Sequence, residues 1–289
     1  MDIFPLSIKE KCRELLGTPL LSVQYIGGGD INQARLLETA EGNFFLKFNT
    51  KPKAYDMFQK EVRGLEILRK PNVISVPEVL GIGETKDAAF LILEYIQTGR
   101  RVGSFWLDFG RKLADLHRIT QPDFGLDHSN YIGSLVQQNN PHSKWTEFYI
   151  SERLMPQMKL ARDLNRLQKT DIQSFEKLFK KLPDLIPEEK PALIHGDLWS
   201  GNFMVNQNRQ PVLIDPAVSF SNREADIAMT KLFGGFDADF YISYMDSFPF
   251  EPGYAERTKI YQLYYLTAHV NLFGGGYINS VRRILKDFM

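Results

Sequence analysis

Three side chains in the second half of the chain have the types and spacing that phosphoryl transfer needs. They lie in the run HGDLWSGN, His195 to Asn202, and in IDP, Ile214 to Pro216. Asp197 is a carboxylate that can orient an attacking hydroxyl and accept its proton. Asn202 follows five positions later, and Asp215 thirteen beyond that. Moving a γ-phosphoryl group onto a hydroxyl requires such a base, together with oxygen ligands for one or two Mg²⁺ ions. Asn202 offers a neutral oxygen without adding repulsion beside two carboxylates. Asp215 can meet the phosphates of ATP through the metal.

These residues need elements that place them. Ala192-Leu193-Ile194 and Val212-Leu213-Ile214 are short apolar runs that read as buried strands ending at His195 and Asp215. Upstream, the strands expected at Ser22 to Ile26, Ala34 to Thr39 and Phe44 to Phe48 are separated by turn signals. The third carries Lys47 between Leu46 and Phe48. A helix over about Asp56 to Lys70 puts Phe58, Val62, Leu65 and Leu68 on one stripe, with Glu61 among them. A carboxylate facing a core is costly unless paired, and a strand lysine is the natural partner. Kinases use such a pair to hold the α and β phosphates. Gly27, Gly28 and Gly29 form a flexible turn between two strands, suited to covering phosphates. No GxxxxGK[ST] loop occurs, and the glycines precede a strand, so the dinucleotide fingerprint does not apply. Two more strands are expected at Val79 to Gly83 and Ala89 to Tyr95. Glu94 and Ile96 then stand where backbone groups would hydrogen-bond an adenine.

After Tyr95 helical periodicity dominates, as in Trp106 to Arg118 and Trp145 to Leu182. The expected fold is therefore α+β, bilobal and protein-kinase-like. Residues 1–96 form an N-terminal nucleotide-binding lobe, an antiparallel sheet with one key helix. Residues 97–289 form a mainly helical lobe carrying the catalytic loop and substrate site. The Asp, Asn and Asp spacing is also that of protein kinases. There is no HRD, IDP replaces DFG, and no APE segment follows, which argues against protein substrates read through an activation loop.

Composition narrows the partners. The 289 residues carry 35 basic and 35 acidic side chains, so no basic footprint points to nucleic acid. One cysteine, Cys12, cannot form an intrachain disulfide, which fits a reducing compartment. The first residues, MDIFPLSIKEKCRELLG, hold no signal-like apolar run, and no stretch approaches a membrane span. A cytoplasmic protein without membrane contact is expected.

The runs GGGDIN, FFLKFN, HGDLWSGN, IDPAVSFSNREADIAM, LFGGF and IYQLYYLTAHVNLFG resemble the fructosamine kinase family, the ketosamine-3-kinases. That family is related to the aminoglycoside phosphotransferases and choline kinases. HGD with a distal IDP is shared by all of them. Trp199 and the READIAM and LFGGF stretches are more specific to the ketosamine branch. The resemblance implies ATP-dependent phosphorylation of the 3-hydroxyl of a free or protein-bound ketosamine, which repairs glycated amines. It implies that Asp197 is the base, Asn202 and Asp215 the metal ligands, and Lys47 and Glu61 the phosphate-anchoring pair. Trp199 and His269 are the candidates for substrate contact, and Glu224 and Asp226 for bracing the catalytic loop. A kinase for another small hydroxyl compound, aminoglycoside- or choline-like, stays open. So does a catalytically dead nucleotide-binding scaffold, although all five core residues are present.

Overall fold

The computed structural model describes residues 4–27 and 32–289. Of the glycine turn, Gly27 follows Ile26, the last residue of its strand, and Gly28 and Gly29 lie outside the described residues. The chain divides into two compact units. The first is Met1–Val102 with Met204–Asp215, and the second is Gly103–Phe203 with Pro216–Met289.

In the first unit, helix α1 (Leu6–Leu16) ends at Gly17. Strands β1 (Leu20–Ile26), β2 (Gln33–Thr39) and β3 (Gly42–Asn49) follow, then helix α2 (Ala54–Arg69) and strands β4 (Val79–Glu84) and β5 (Ala89–Glu94). The sheet order is β1-β2-β3-β5-β4, and every pairing is antiparallel. Strand β5 sits between β3 and β4, and Phe90, Leu91, Ile92 and Leu93 are all buried. A strand covered on both faces reads as a continuous apolar run, which is why AFLIL has no alternation. Ile8 and Cys12 of α1 pack into a core with Leu37, Leu46, Phe48, Phe90 and Ile92. Burial pushes the Cys12 thiol up to about 12. In α2, Phe58, Leu65 and Leu68 are buried, as the stripe requires.

The second unit begins with helix α3 (Phe105–His117) and the hairpin β6 (Asn130–Ile132) and β7 (Leu135–Gln137). The helical stretch expected over Trp145 to Leu182 is broken into pieces. These are α4 (Trp145–Phe148), a π-helical turn Tyr149–Leu154, α5 (Met155–Asp163) and α6 (Lys169–Leu185). Asn165 in the left-handed region (φ 57°) ends the α5 run. Gln168 and Asp171 then cap α6 reciprocally. Strand β8 (Ala192–Ile194) precedes the loop that begins at His195. Strands β9 (Phe203–Val205) and β10 (Pro211–Leu213) pair, and most of that hairpin belongs to the first unit. Strand β11 (Ser219–Ser221) pairs antiparallel with β8. Helices α7 (Glu224–Leu232), α8 (Ala238–Ser247), α9 (Tyr254–Phe273) and α10 (Tyr277–Asp287) complete the chain. Helix α9 is buried on nearly every side, with Ile260, Tyr261, Leu263, Leu266 and Val270 in the core, so it lacks an amphipathic stripe. No helix among the described residues is long and apolar enough to cross a membrane.

Candidate active site

Strand β8 delivers His195-Gly196-Asp197 at its end. Gly196 adopts φ 84°, and a Cβ there would lie 2.0 Å from the Ala217 carbonyl oxygen. Only glycine fits that approach. The loop is fixed from beneath by Asp226 on α7. Its carboxylate accepts the His195 N–H at 2.8 Å and the Gly196 N–H at 2.8 Å. His117 Nε2 lies 3.2 Å from the same carboxylate, and His117 Nδ1 lies 2.8 Å from the Tyr244 hydroxyl. A carboxylate only accepts, so His117 carries its hydrogen on Nε2. Burial alone would raise the Asp226 carboxyl. The hydrogen bond from His117, the charges of His117 and His195, and the Gly196 N–H outweigh it and hold the group below the usual carboxylate range. Of the two expected braces, Asp226 therefore holds the loop. Glu224 instead pairs with Arg257 at 2.6 Å.

Above this base the loop closes on itself. Trp199 N–H donates to the Asp197 carbonyl, and Asn202 N–H donates to the Trp199 carbonyl. Asn202 Nδ2 donates to the Asp197 carbonyl at 2.8 Å and to Asp197 Oδ2 at 3.0 Å. With its amino group committed, Asn202 keeps its amide oxygen unbonded among the described residues. A neutral oxygen of that kind suits a hard cation. The Trp199 ring lies across Gly201, where an added Cβ would come within 2.3 Å of it. This explains the small residue in WSGN, which the sequence reading left without a role.

The first unit carries a second cluster. Lys47 on β3 meets Glu61 on α2 at 2.8 Å and also contacts the Asp215 carboxylate. Lys47 and Glu61 are nearly buried, and Asp215 is 43% exposed at its side chain. Burial works against the charged lysine, but the Asp215 and Glu61 carboxylates outweigh it and raise its affinity for the proton. Glu61 is pushed up by burial, against the pull of Lys47. Asp215 itself adopts φ 54°, a left-handed conformation that aspartate tolerates better than most residues. The Lys47–Glu61 pair follows the sequence expectation. The Asp215 contact does not appear in that reading, because 168 positions separate the partners. Lys47→Met should cost about 3 kcal/mol at pH 7 by leaving Glu61 buried without its cation. Glu61 in that variant takes up a proton more readily when folded than when unfolded. The penalty should therefore shrink as pH falls toward 5, which denaturant unfolding at several pH values would measure.

Glu94 ends β5, with its N–H bonded to the Glu78 carbonyl at 2.8 Å. The Ile96 N–H has no hydrogen-bond partner among the described residues. His269 lies on α9, where its ring meets Phe233 at 5.0 Å, and Phe233 meets Trp199 at 6.2 Å. The second unit thus brings together the two candidate substrate residues, with a phenylalanine between them. Among the described residues no group of three or more His, Cys, Asp or Glu side chains is placed to hold a metal. Magnesium carried with a nucleotide keeps waters and phosphate oxygens and needs only one or two protein ligands, and the Asn202 amide oxygen is of the kind it takes.

The sequence profile described as fructosamine kinase matches residues 6–289. The chain belongs to the fructosamine kinase family. It is accordingly a ketosamine kinase, a phosphotransferase with an alcohol group as acceptor. It is 40% identical over 263 residues to a probable ketoamine kinase of Enterococcus faecium, covering 90% of this chain and 93% of that one. It is 37% identical over 281 residues to a chloroplastic protein-ribulosamine 3-kinase of Arabidopsis thaliana, covering 94% and 84%. The crystal structure of a putative fructosamine-3-kinase from Thermobifida fusca superposes with TM-score 0.88 at 31% identity, covering 99% of each chain. An aminoglycoside phosphotransferase in ternary complex with ADP and hygromycin B superposes with TM-score 0.66 at 15% identity, covering 97% and 98%. At that identity the likeness concerns the fold alone, which is α+β and kinase-like.

Proposed function

We propose that this family member transfers the γ-phosphoryl group of ATP to the 3-hydroxyl of a ketosamine, with Asp197 as the base. The observation that carries this reading is the bond from Asn202 Nδ2 to Asp197 Oδ2. It holds the carboxylate in one orientation. Asp226 fixes the loop backbone, so the carboxylate needs little reorganisation when it takes the proton.

We assign nucleotide binding to residues 1–96, through Gly27, Gly28, Gly29, Lys47, Glu61, Glu94 and Ile96. The free Ile96 N–H supports an adenine contact there. Lys47, held charged by its carboxylates, is suited to the α and β phosphates. We assign substrate binding and the catalytic loop to residues 97–289, with Trp199 and His269 facing the sugar. Asn202 and Asp215 are the residues that would hold Mg²⁺. When bound, the metal neutralises charge on the phosphoryl oxygens. The aromatic surroundings of Trp199 favour a ketosamine over a polycationic aminoglycoside, whose site calls for carboxylates. The lone cysteine and the lack of a membrane-spanning helix among the described residues support a cytoplasmic place. The Arabidopsis relative carries the description chloroplastic.

The test is to incubate the enzyme with ATP, Mg²⁺ and a fructosyl- or ribulosyl-amine, and to locate the phosphate by NMR. A 3-phosphate is the expected product. Phosphorylation of choline or an aminoglycoside but of neither ketosamine would overturn the reading.

A further inference from the structure

The side of the catalytic loop that carries Trp199 is unusually aromatic for an exposed surface. Trp199 is 37% exposed, Phe233 41% and Phe273 50%. Their rings are linked through His269. Trp199 and Phe233 are 6.2 Å apart, Phe233 and His269 5.0 Å, His269 and Phe273 5.5 Å, and His269 and Tyr277 5.1 Å. Core aromatics are buried to hide apolar area, and these are not. The patch is tied to the loop at two points. Trp199 stands two residues from Asp197, and Gly235, just after Phe233, lies against the Ser200 side chain.

His269 adds a directional element. Its Nδ1 lies 2.8 Å from the Tyr265 carbonyl oxygen, which only accepts, so Nδ1 carries the hydrogen. In the neutral ring Nε2 is then an acceptor, and it has no hydrogen-bond partner among the described residues. Burial lowers the ring's basicity against the pull of the Tyr265 carbonyl, which keeps this tautomer neutral. A lone acceptor set among aromatic faces is complementary to a cation that also donates a hydrogen bond.

A ketosamine carries such a group. Its secondary amine is protonated at neutral pH and lies four bonds from the 3-hydroxyl oxygen, a reach of roughly 5 Å at ordinary bond lengths. With the hydroxyl at Asp197 the ammonium has that span to cover, and Trp199 stands two residues along the same loop. We propose that Trp199, Phe233, His269, Phe273 and Tyr277 form an amine-recognising subsite, in which the ketosamine ammonium donates to His269 Nε2 and packs against the aromatic faces. The proposal rests on the ketosamine reading and extends it. The enzyme selects for the amine as well as the sugar, and the apolar part of the amine substituent lies on Phe233 and Phe273.

The experiment compares a fructosyl-alkylamine with 1-deoxyfructose, which presents the same hydroxyls without the amine. The wild type should show the lower KM for the fructosyl-amine. Phe233→Ala/Phe273→Ala should raise that KM about tenfold while leaving the KM for 1-deoxyfructose and for ATP in place. Phe233→Tyr/Phe273→Tyr keeps the rings and should retain the wild-type KM. Both phenylalanines are exposed, so an unchanged melting temperature accompanies the expected result. Equal shifts for the two sugars, or no shift for either, would overturn the subsite while wild-type turnover of the fructosyl-amine left the ketosamine reading standing. Wild-type enzyme that phosphorylates neither sugar would remove both.

Discussion

Asp197→Asn should lower kcat by about 10²- to 10⁴-fold, the usual share of a positioned general base. The substitution is nearly isosteric, and the new amide oxygen can still accept from Asn202 Nδ2, so the turn from Asp197 to Asn202 should keep its shape. What is lost is the ability to take the proton of the attacking hydroxyl. ATP affinity, measured by calorimetry with Mg²⁺ present, should stay at the wild-type value, because Lys47 and Asp215 are untouched. Retention of most of the wild-type kcat would mean that Asp197 orients the hydroxyl without accepting its proton, or that another group is the base.

Asp226→Asn should be the most damaging change outside the catalytic loop. The native carboxylate has two oxygens, each accepting one backbone N–H, with His117 donating to the same group. An asparagine keeps one acceptor and turns a donor toward another donor. Breaking a buried pairing of this kind costs about 3–5 kcal/mol. The pH dependence identifies the cause. An unfolded aspartate takes up its proton near pH 4. Asp226 in the native state holds its charge to lower pH. Its contribution is complete above the ordinary carboxylate range and is lost as pH falls through the lowered native value. The stability gap between wild type and Asp226→Asn, measured by urea unfolding, should therefore narrow in acid. A gap that stayed constant down to pH 2 would show that shape rather than charge sets the cost. The variant's kcat should also fall, since the residues before Asp197 lose their anchor.

Much of this site is legible in the sequence because the chemistry is local there. Asp197 and Asn202 lie within one turn, and their mutual bond follows from five-residue spacing. Lys47 in an apolar strand and Glu61 on an apolar stripe each break a local rule, and two such breaks imply each other. His117 gives no comparable signal. It stands at the end of an ordinary amphipathic helix, and its partner Asp226 lies 109 positions away. Phe233 and Phe273 look like core residues, because nothing in a hydrophobicity pattern marks a phenylalanine that stays exposed. Strand β11 was missed for a related reason. Ser219-Phe220-Ser221 has too few apolar residues to read as a strand, and pairing with β8 makes it one. The long helix over Trp145 to Leu182 was expected because periodicity survives a break of a few residues, whereas the left-handed Asn165 shows only in the backbone.

Cys12, the only thiol in the chain, lies in the first unit's core beside Leu37 and Phe90. A thiol held almost wholly protonated and shielded from solvent reacts with a labelling reagent only when that core opens. The native protein thus contains its own clock for one of its two halves. The labelling rate under native conditions, set against the intrinsic rate of an exposed thiol, gives the free energy of opening the first unit without denaturant. Repeating it with nucleotide present would test the proposed assignment of nucleotide binding to that unit, through a single sulfur atom outside the proposed site.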